Sequence, residues 1–365
     1  MRKVDLRSPS EFARDHVRGA WNVPLFDDDQ RAVVGTLYKQ ESPDAAFEHG
    51  LEMVQKKLGD LLASILGYPI AADDLRQRFD ELATRLKAGV SAVTLEPLAD
   101  VGGATLAVYC WRGGMRSRSV AALLLALGIE NVVLVQGGYK DYRQWVRNSL
   151  ELISYAHSFI ILRGPTGVGK TQILHQLEKE LPGSTIDLEG LAQHRSSVLG
   201  AVGLEPVSKP EFDSRLLERL SELGPRPWFV EGESRKVGDV EIPPTFFLGM
   251  EDGAHVRLEA SMGYRTALLA REYLATSHHV EQLADQLQFL EKRLGAKWVG
   301  RLREWLAAGR WQEVAEVLLE RWYDPRYGHH DERRTWLARF DASSSSLIAD
   351  LSALRSKMMA SADLK

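Results

Sequence analysis

Residues 164–171 read GPTGVGKT, which fits the pattern G-x-x-x-x-G-K-[ST] at every defined position. The apolar run FIIL precedes it and KTQILHQLEKEL follows, so the stretch predicts a strand, a glycine loop and a helix in that order. The glycines let successive backbone N–H groups turn inward around a phosphate, and the helix N-terminus adds its positive end. Gly164, Pro165, Thr166, Gly167, Val168, Gly169, Lys170 and Thr171 are therefore the candidate phosphate-binding residues. Lys170 would reach terminal phosphate oxygens. Thr171 has a hydroxyl suited to magnesium, whose need the loop leaves open. A nucleotide and a diphosphate ester would fill the same cradle equally well.

Such a loop usually works with an acidic residue at the end of another strand. WFVEGES supplies Glu231 and Glu233, followed by Arg235, and TIDLEG supplies Asp187 and Glu189. Glutamate at a place where aspartate is common weakens the case for ordinary magnesium-dependent nucleotide hydrolysis. The competing reading is that these carboxylates only cap strand ends and turns.

The second constraint is YCWRGGMRS, residues 109–117, which contains the chain's single cysteine. An apolar strand, LAVYC, leads into it and a helix, SRSVAALLLALGI, leads out. The positive end of that helix, with Arg112 and Arg116, favours an anion at Cys110. Gly113 and Gly114 permit a tight loop whose N–H groups could meet an incoming oxyanion, and Ser117 completes a C-x5-R-S spacing. A free thiol is most often a small apolar packing residue. Packing requires neither the glycines nor the arginines, so Cys110, Arg112, Gly113, Gly114, Arg116 and Ser117 are candidate catalytic residues. The spacing alone admits a cysteine phosphatase or a sulfur-family transferase.

A chain of 365 residues is longer than one core usually grows, which predicts two domains. Strands alternate with helices in both halves, so the fold class is α/β with parallel sheets. The expected division is residues 1–147, with a helical insert at about 42–90, then a core at 148–260, then a helical region at 261–365. STIDLEG, PWFVEGES, TFFLGM and HVRLEA read as further β-like runs of the second half. A net charge of -4 gives no strongly basic footprint. One cysteine suits a reducing compartment, and no apolar run reaches the length of a membrane span. The expectation is a soluble, cytoplasmic protein with no membrane partner and no metal cluster.

Residues flanking the cysteine carry a resemblance. VDLRSPSEFARDHVRGAWNVP is similar to the rhodanese pattern at Asp5, Arg7, Glu11, Phe12, His16, Val17, Gly19, Ala20, Asn22, Val23 and Pro24. VQGGYKDYRQW resembles its closing segment at Gly137, Gly138 and Trp145. A phosphatase would prefer His at position 109, which is Tyr, and no general acid is evident. A rhodanese-like parallel sheet followed by an NTPase-like phosphate-loop domain is an unusual pair. Together with VGTLYKQ and EGESRKVG, it makes residues 4–330 resemble the tRNA 2-selenouridine synthase family. That resemblance implies a transferase acting on tRNA with 2-thiouridine at the wobble position. Its substrates would be geranyl diphosphate, which alkylates sulfur, and selenophosphate, whose selenium Cys110 would carry. The helical C-terminal region, with Arg and Lys among Trp, Tyr and His, would contact tRNA through phosphates and a stacked base, with His329 and His330 in that surface; the competing reading is a set of solvated helix faces with Trp in the core. The main alternative is a kinase or NTPase whose first domain carries sulfur or regulates. A phosphate-sensing module and a phosphatase rank behind it.

Overall fold

The computed structural model describes residues 1–69, 106–129, 131–326 and 334–362. They belong to two compact units, Met1–Asn148 and Ser149–Lys365.

The first unit contains β1 (Arg2–Asp5), α1 (Pro9–Arg14), β2 (Ala20–Asn22), α2 (Asp28–Gln40), α3 (Pro43–Lys56), α4 (Leu58–Leu66), β3 (Leu106–Tyr109), α5 (Met115–Ala126), β4 (Val132–Leu134) and the start of α6 (Gly138–Leu152). Its four strands form a parallel sheet in the order β2-β1-β3-β4. Every residue of β3 is buried, as expected of a central parallel strand covered on both faces. Val4 and Val108 from the sheet pack with Val120 and Leu124 of α5 and with Leu62 and Ile65 of α4. Helix α2 begins at Asp27, whose carboxylate accepts from Gln30 N while the Gln30 side chain answers at the Asp27 N–H. Ser42 caps α3, and Pro43 starts it with its fixed φ. The helical layer thus starts at Asp28, earlier than the expected 42, because a capping box at Asp27 carries no hydrophobic periodicity to mark it. The second helical stretch expected in the insert, residues 73–89, lies outside the described residues.

The second unit contains β5 (Phe159–Arg163), α7 (Lys170–Glu180), β6 (Thr185–Ile186), α8 (Leu188–Ala192), α9 (Lys209–Glu222), β7 (Trp228–Glu231), β8 (Lys236–Val237), β9 (Val240–Glu241), α10 (Pro244–Glu251), β10 (Ala254–Glu259), α11 (Met262–Tyr273), α12 (Ser277–Leu294), α13 (Arg301–Ala307), α14 (Trp311–Leu318), β11 (Ala338–Asp341) and α15 (Leu347–Ala362). Five strands make a parallel sheet in the order β11-β10-β5-β7-β6. The chain winds to one side of β5 through β6 and β7, then crosses to the other side through β10 and β11. The glycine loop leaves β5 at that switch point, where open α/β sheets bind ligands. Ile160, Leu162, Phe229, Val256 and Leu258 from the sheet pack against Ile173, Leu174 and Leu177 of α7.

Three local expectations are corrected. TFFLGM, read as β-like, is the body of α10. Short apolar runs do not distinguish buried helix from strand. Here Pro244 starts a helix, and Phe246 and Met250, four apart, form its buried stripe. In STIDLEG only Thr185 and Ile186 are strand, because the Asp187 side chain accepts from Gly190 N and caps α8. The region expected to be helical from 261 to 365 includes β11, a parallel edge strand on β10. It also includes α15, whose Leu347 and Leu351 pack into the core of the phosphate-loop sheet. A four-residue strand with alternating exposure leaves almost no pattern in sequence. No described helix is long and apolar enough to cross a membrane.

Candidate functional site

Cys110 follows β3 directly and is buried. Its Sγ lies 3.2 Å from the Ser117 hydroxyl, which also donates to Gly114 O, so one turn of α5 brings the two ends of YCWRGGMRS together. Gly114 is the residue before α5, and Gly113 has φ +64. The loop is clamped from behind by the GG segment. A Cβ on Gly138 would sit 2.3 Å from Cys110 O, and one on Gly113 would sit 2.7 Å from Val135 O. Only glycine permits that approach. Tyr139 N and Lys140 N then donate to Cys110 O and Trp111 O, at 2.9 and 2.8 Å.

Arg112 and Arg116 behave differently. Arg112 is exposed, whereas Arg116 donates to Glu11 at 3.1 Å, a partner 105 residues away. Burial pushes the Glu11 carboxyl up, but the charge and hydrogen bond of Arg116 outweigh it and hold Glu11 below the usual carboxylate range. Part of the positive charge expected for an incoming anion is thereby neutralised at Arg116.

The motif upstream is scaffold. Asp5 and Arg7 are buried, with Arg7 Nη2 2.6 Å from Asp5 Oδ2 and 2.7 Å from Asp15 O. The Arg7 guanidinium lies over the Tyr139 ring at 3.8 Å, and Tyr139 donates to Asp15 Oδ2 at 2.7 Å. Asn22 donates to the carbonyls of Asp5 and Arg7. His16 stacks on Phe12. These side chains lock the strand ends and the start of α6 beneath the cysteine loop.

On its open side the loop borders a cavity of about 800 Å³, walled by α2, α3 and α5, with Cys110 among its lining residues.

In the second unit Gly167 and Gly169 have φ +78 and +92, and Gly169 precedes α7. A Cβ on Gly164 would lie 2.6 Å from Leu258 O, so the loop is seated against β10. Arg265, buried, donates to Thr166 O at 2.8 Å and is held by both Asp324 oxygens at 2.6 and 3.0 Å. Thr171 donates to Glu189 at 3.1 Å.

Behind the loop lies an acidic group. Glu231 is fully buried, and its Oε2 accepts from Leu188 N at 2.9 Å. Its Oε1 meets no protein donor and faces Asp187. Burial, then the Asp187 charge, raise the Glu231 carboxyl well above its usual range, so it holds the proton between the two. Burial also acts on Asp187, but the hydrogen bonds from His175, Glu231 and Gly190 outweigh it and keep Asp187 ionised. Burial and the charge of Glu233 push Glu189 up to about 8. Glu189 is therefore largely protonated near pH 7, and the loop faces its ligand less negatively than its composition implies. No group of three or more His, Cys, Asp or Glu is placed to hold a metal ion among the described residues. A magnesium ion at the loop would meet the Thr171 hydroxyl and Glu189.

Arg235 is exposed beside β8, and the structure gives it no side-chain contact with the loop. Sequence reasoning passed over Arg265 and Asp324, which come together across 59 residues. Of the C-terminal aromatics, Trp298, Trp311 and Trp322 are buried in the core of the helical region, and Trp305 is partly buried against it. Arginines cover that core from outside, Arg326 over Trp322 at 3.5 Å and Arg310 over Trp305 at 4.6 Å. His329 and His330 lie outside the described residues.

A parallel sheet carrying a complete glycine loop at its switch point makes the second unit a phosphate-loop domain. Residues 157–357 match the family model described as the tRNA 2-selenouridine synthase AAA domain. The tRNA 2-selenouridine synthase of Marinobacter nauticus is 31% identical over 87% of this chain and 78% of its own. That of Chromohalobacter salexigens is 30% identical over 92% of this chain and 83% of its own. That of Nitrosomonas europaea is 28% identical over 86% and 79%. The chain belongs to the tRNA 2-selenouridine synthase family.

Proposed function

We propose that this chain is a transferase that converts 2-thiouridine at the tRNA wobble position to 2-selenouridine in two steps, with one site in each unit. On this reading Met1–Asn148 is rhodanese-like, residues 148–260 are the phosphate-loop core and the helical surface beyond contacts tRNA in the cytoplasm.

In the first step geranyl diphosphate sits in the loop of Gly164–Thr171. The thiouridine sulfur bonds to the allylic carbon as the C–O bond breaks, the uridine loses its N3 proton, and diphosphate departs. Lys170, the loop amides and the α7 N-terminus stabilise the charge that grows on that leaving group. In the second step the Cys110 sulfur bonds to the selenium of selenophosphate and the Se–P bond breaks, its electron pair staying with phosphorus. Selenium then bonds to C2 of the base as the C2–S bond breaks and geranylthiolate leaves. A thiol from solution attacks the Cys110 sulfur and frees the 2-selenouridine, and a second thiol cleaves the mixed disulfide so formed, restoring Cys110 and leaving as a disulfide, since Cys110 is the chain's one cysteine.

The observation that carries this reading is the joint presence, in a chain of this family, of a complete phosphate loop and a buried cysteine held in a glycine-arginine loop. The test is mass spectrometry of a 2-thiouridine anticodon stem-loop incubated with the protein and geranyl diphosphate, without a selenium donor. Gain of one geranyl group is expected. No gain, with ATP hydrolysed in parallel, would replace the reading by a phosphate-loop NTPase.

A further inference from the structure

The cavity beside Cys110 is lined by Arg31, Lys39, Arg112 and Arg116, but most of its wall is of a kind that an anion does not use. Phe26, Phe47, Leu51 and Leu123 contribute to walls that are predominantly apolar, and a cavity of about 800 Å³ lies within the range of about 300–1,000 Å³ that takes small organic ligands. Selenophosphate would use the cations beside Cys110 and derives nothing from the apolar part of the walls. We propose that this cavity holds the alkyl chain carried on the sulfur of the S-geranylated base during the selenium-transfer step; the assignment rests on the two-step reading above.

Three observations join at this point. The nucleophile itself lines the cavity, so a chain anchored there brings the C2–S bond to Cys110. Arg31 and Arg112, both exposed, line it too, placing cations at its opening where an RNA backbone would lie. Trp111, next to Cys110 and 40% exposed, also lines the cavity and offers an aromatic face for the base. An apolar chain in the cavity and a nucleotide at its mouth match this division of walls and rim. The alkyl group then has a second role besides activating the sulfur. It is the handle by which the second unit of chemistry selects bases that have completed the first.

Gly35 makes the proposal testable. It lines the cavity from α2, and a Cβ there meets no atom within 4 Å, so a larger side chain enters open space. Replacing a helical glycine also removes backbone entropy from the unfolded chain, so Gly35→Leu is expected to fold. The probes are the S-geranyl-2-thiouridine nucleoside, for calorimetric binding, and anticodon stem-loops bearing S-methyl, S-dimethylallyl or S-geranyl 2-thiouridine with selenophosphate. For the parent chain, kcat/KM for selenium transfer is expected to rise with alkyl length. In Gly35→Leu the S-geranyl to S-methyl ratio of kcat/KM is expected to fall at least tenfold, and nucleoside binding to weaken in parallel. An unchanged ratio and unchanged binding would overturn the cavity assignment and leave the two-step reading intact. Nucleoside binding that Gly35→Leu weakens, with no selenium transfer by the parent chain, would overturn the two-step reading and keep the cavity as a prenyl-base site.

Discussion

A thiolate that takes selenium from selenophosphate leaves the bonding pair on phosphorus, so the phosphorus product is phosphite. On the two-step reading Cys110 makes that attack from the loop turn, where it is buried with Ser117 at 3.2 Å and borders a cavity. Phosphite is expected by phosphorus NMR of the reaction, and Cys110→Ser is expected to abolish selenium transfer while leaving geranylation unchanged. Phosphate as the product would mean that selenium reaches the base still bound to phosphorus, with no carrier at Cys110. Arg7 is a residue of the opposite kind. Its guanidinium pairs with the buried Asp5 carboxylate, donates to the Asp15 carbonyl and lies over the Tyr139 ring. Removing one partner of a buried ion pair costs about 3–5 kcal/mol, because the other charge remains buried. Arg7→Met is therefore expected to lower the urea-unfolding free energy by about that much; a loss under about 1 kcal/mol, the scale of an exposed pair, would show that the pair is not buried in solution.

At the scale of the element, the turn from β6 into α8 places Glu189 against Thr171 of the phosphate loop. Its carboxyl, pushed up to about 8 by burial and by Glu233, is neutral below that pH and negative above it. Diphosphate binding is therefore expected to weaken as pH rises through about 8, since the bound anion favours the protonated acid. Calorimetry with inorganic diphosphate from pH 6.5 to 9 should show this fall, and Glu189→Gln should remove the part of it that exceeds the ligand's own titration. The same raised value sets a sign for stability. A carboxyl that binds its proton more tightly when folded contributes stability below about pH 4.5, and that contribution is lost as pH rises to about 8. An equal pH slope for the parent and Glu189→Gln would place the titration elsewhere. Elements such as these divide cleanly by what a sequence can carry. The strand–loop–helix around GPTGVGKT and the cysteine turn were legible because glycine positions and apolar runs are local. The role of Glu189 was not legible, because its value depends on Glu233 and on burial beneath a loop distant in sequence. The Glu11–Arg116 and Arg265–Asp324 pairs escaped for the same reason, and TFFLGM misled because six apolar residues suit a buried helix and a buried strand alike.

For the whole molecule, the two candidate sites fall in different units. Every residue of the cysteine loop and its cavity lies between Leu25 and Gly138, and the phosphate loop with its acidic group and its Arg265–Asp324 brace lies within Ser149–Lys365. On the two-step reading, the alkylated base that the second unit makes is then the substrate of the first. Full-length Lys170→Ala, expected to fail in geranylation, and full-length Cys110→Ser, expected to fail in selenium transfer, should then complement each other. A mixture of the two with 2-thiouridine tRNA, geranyl diphosphate and selenophosphate is expected to form 2-selenouridine, after a lag that shortens as Cys110→Ser is increased. A mixture that accumulates S-geranyl tRNA without selenouridine would show that the intermediate is consumed only by the chain that made it.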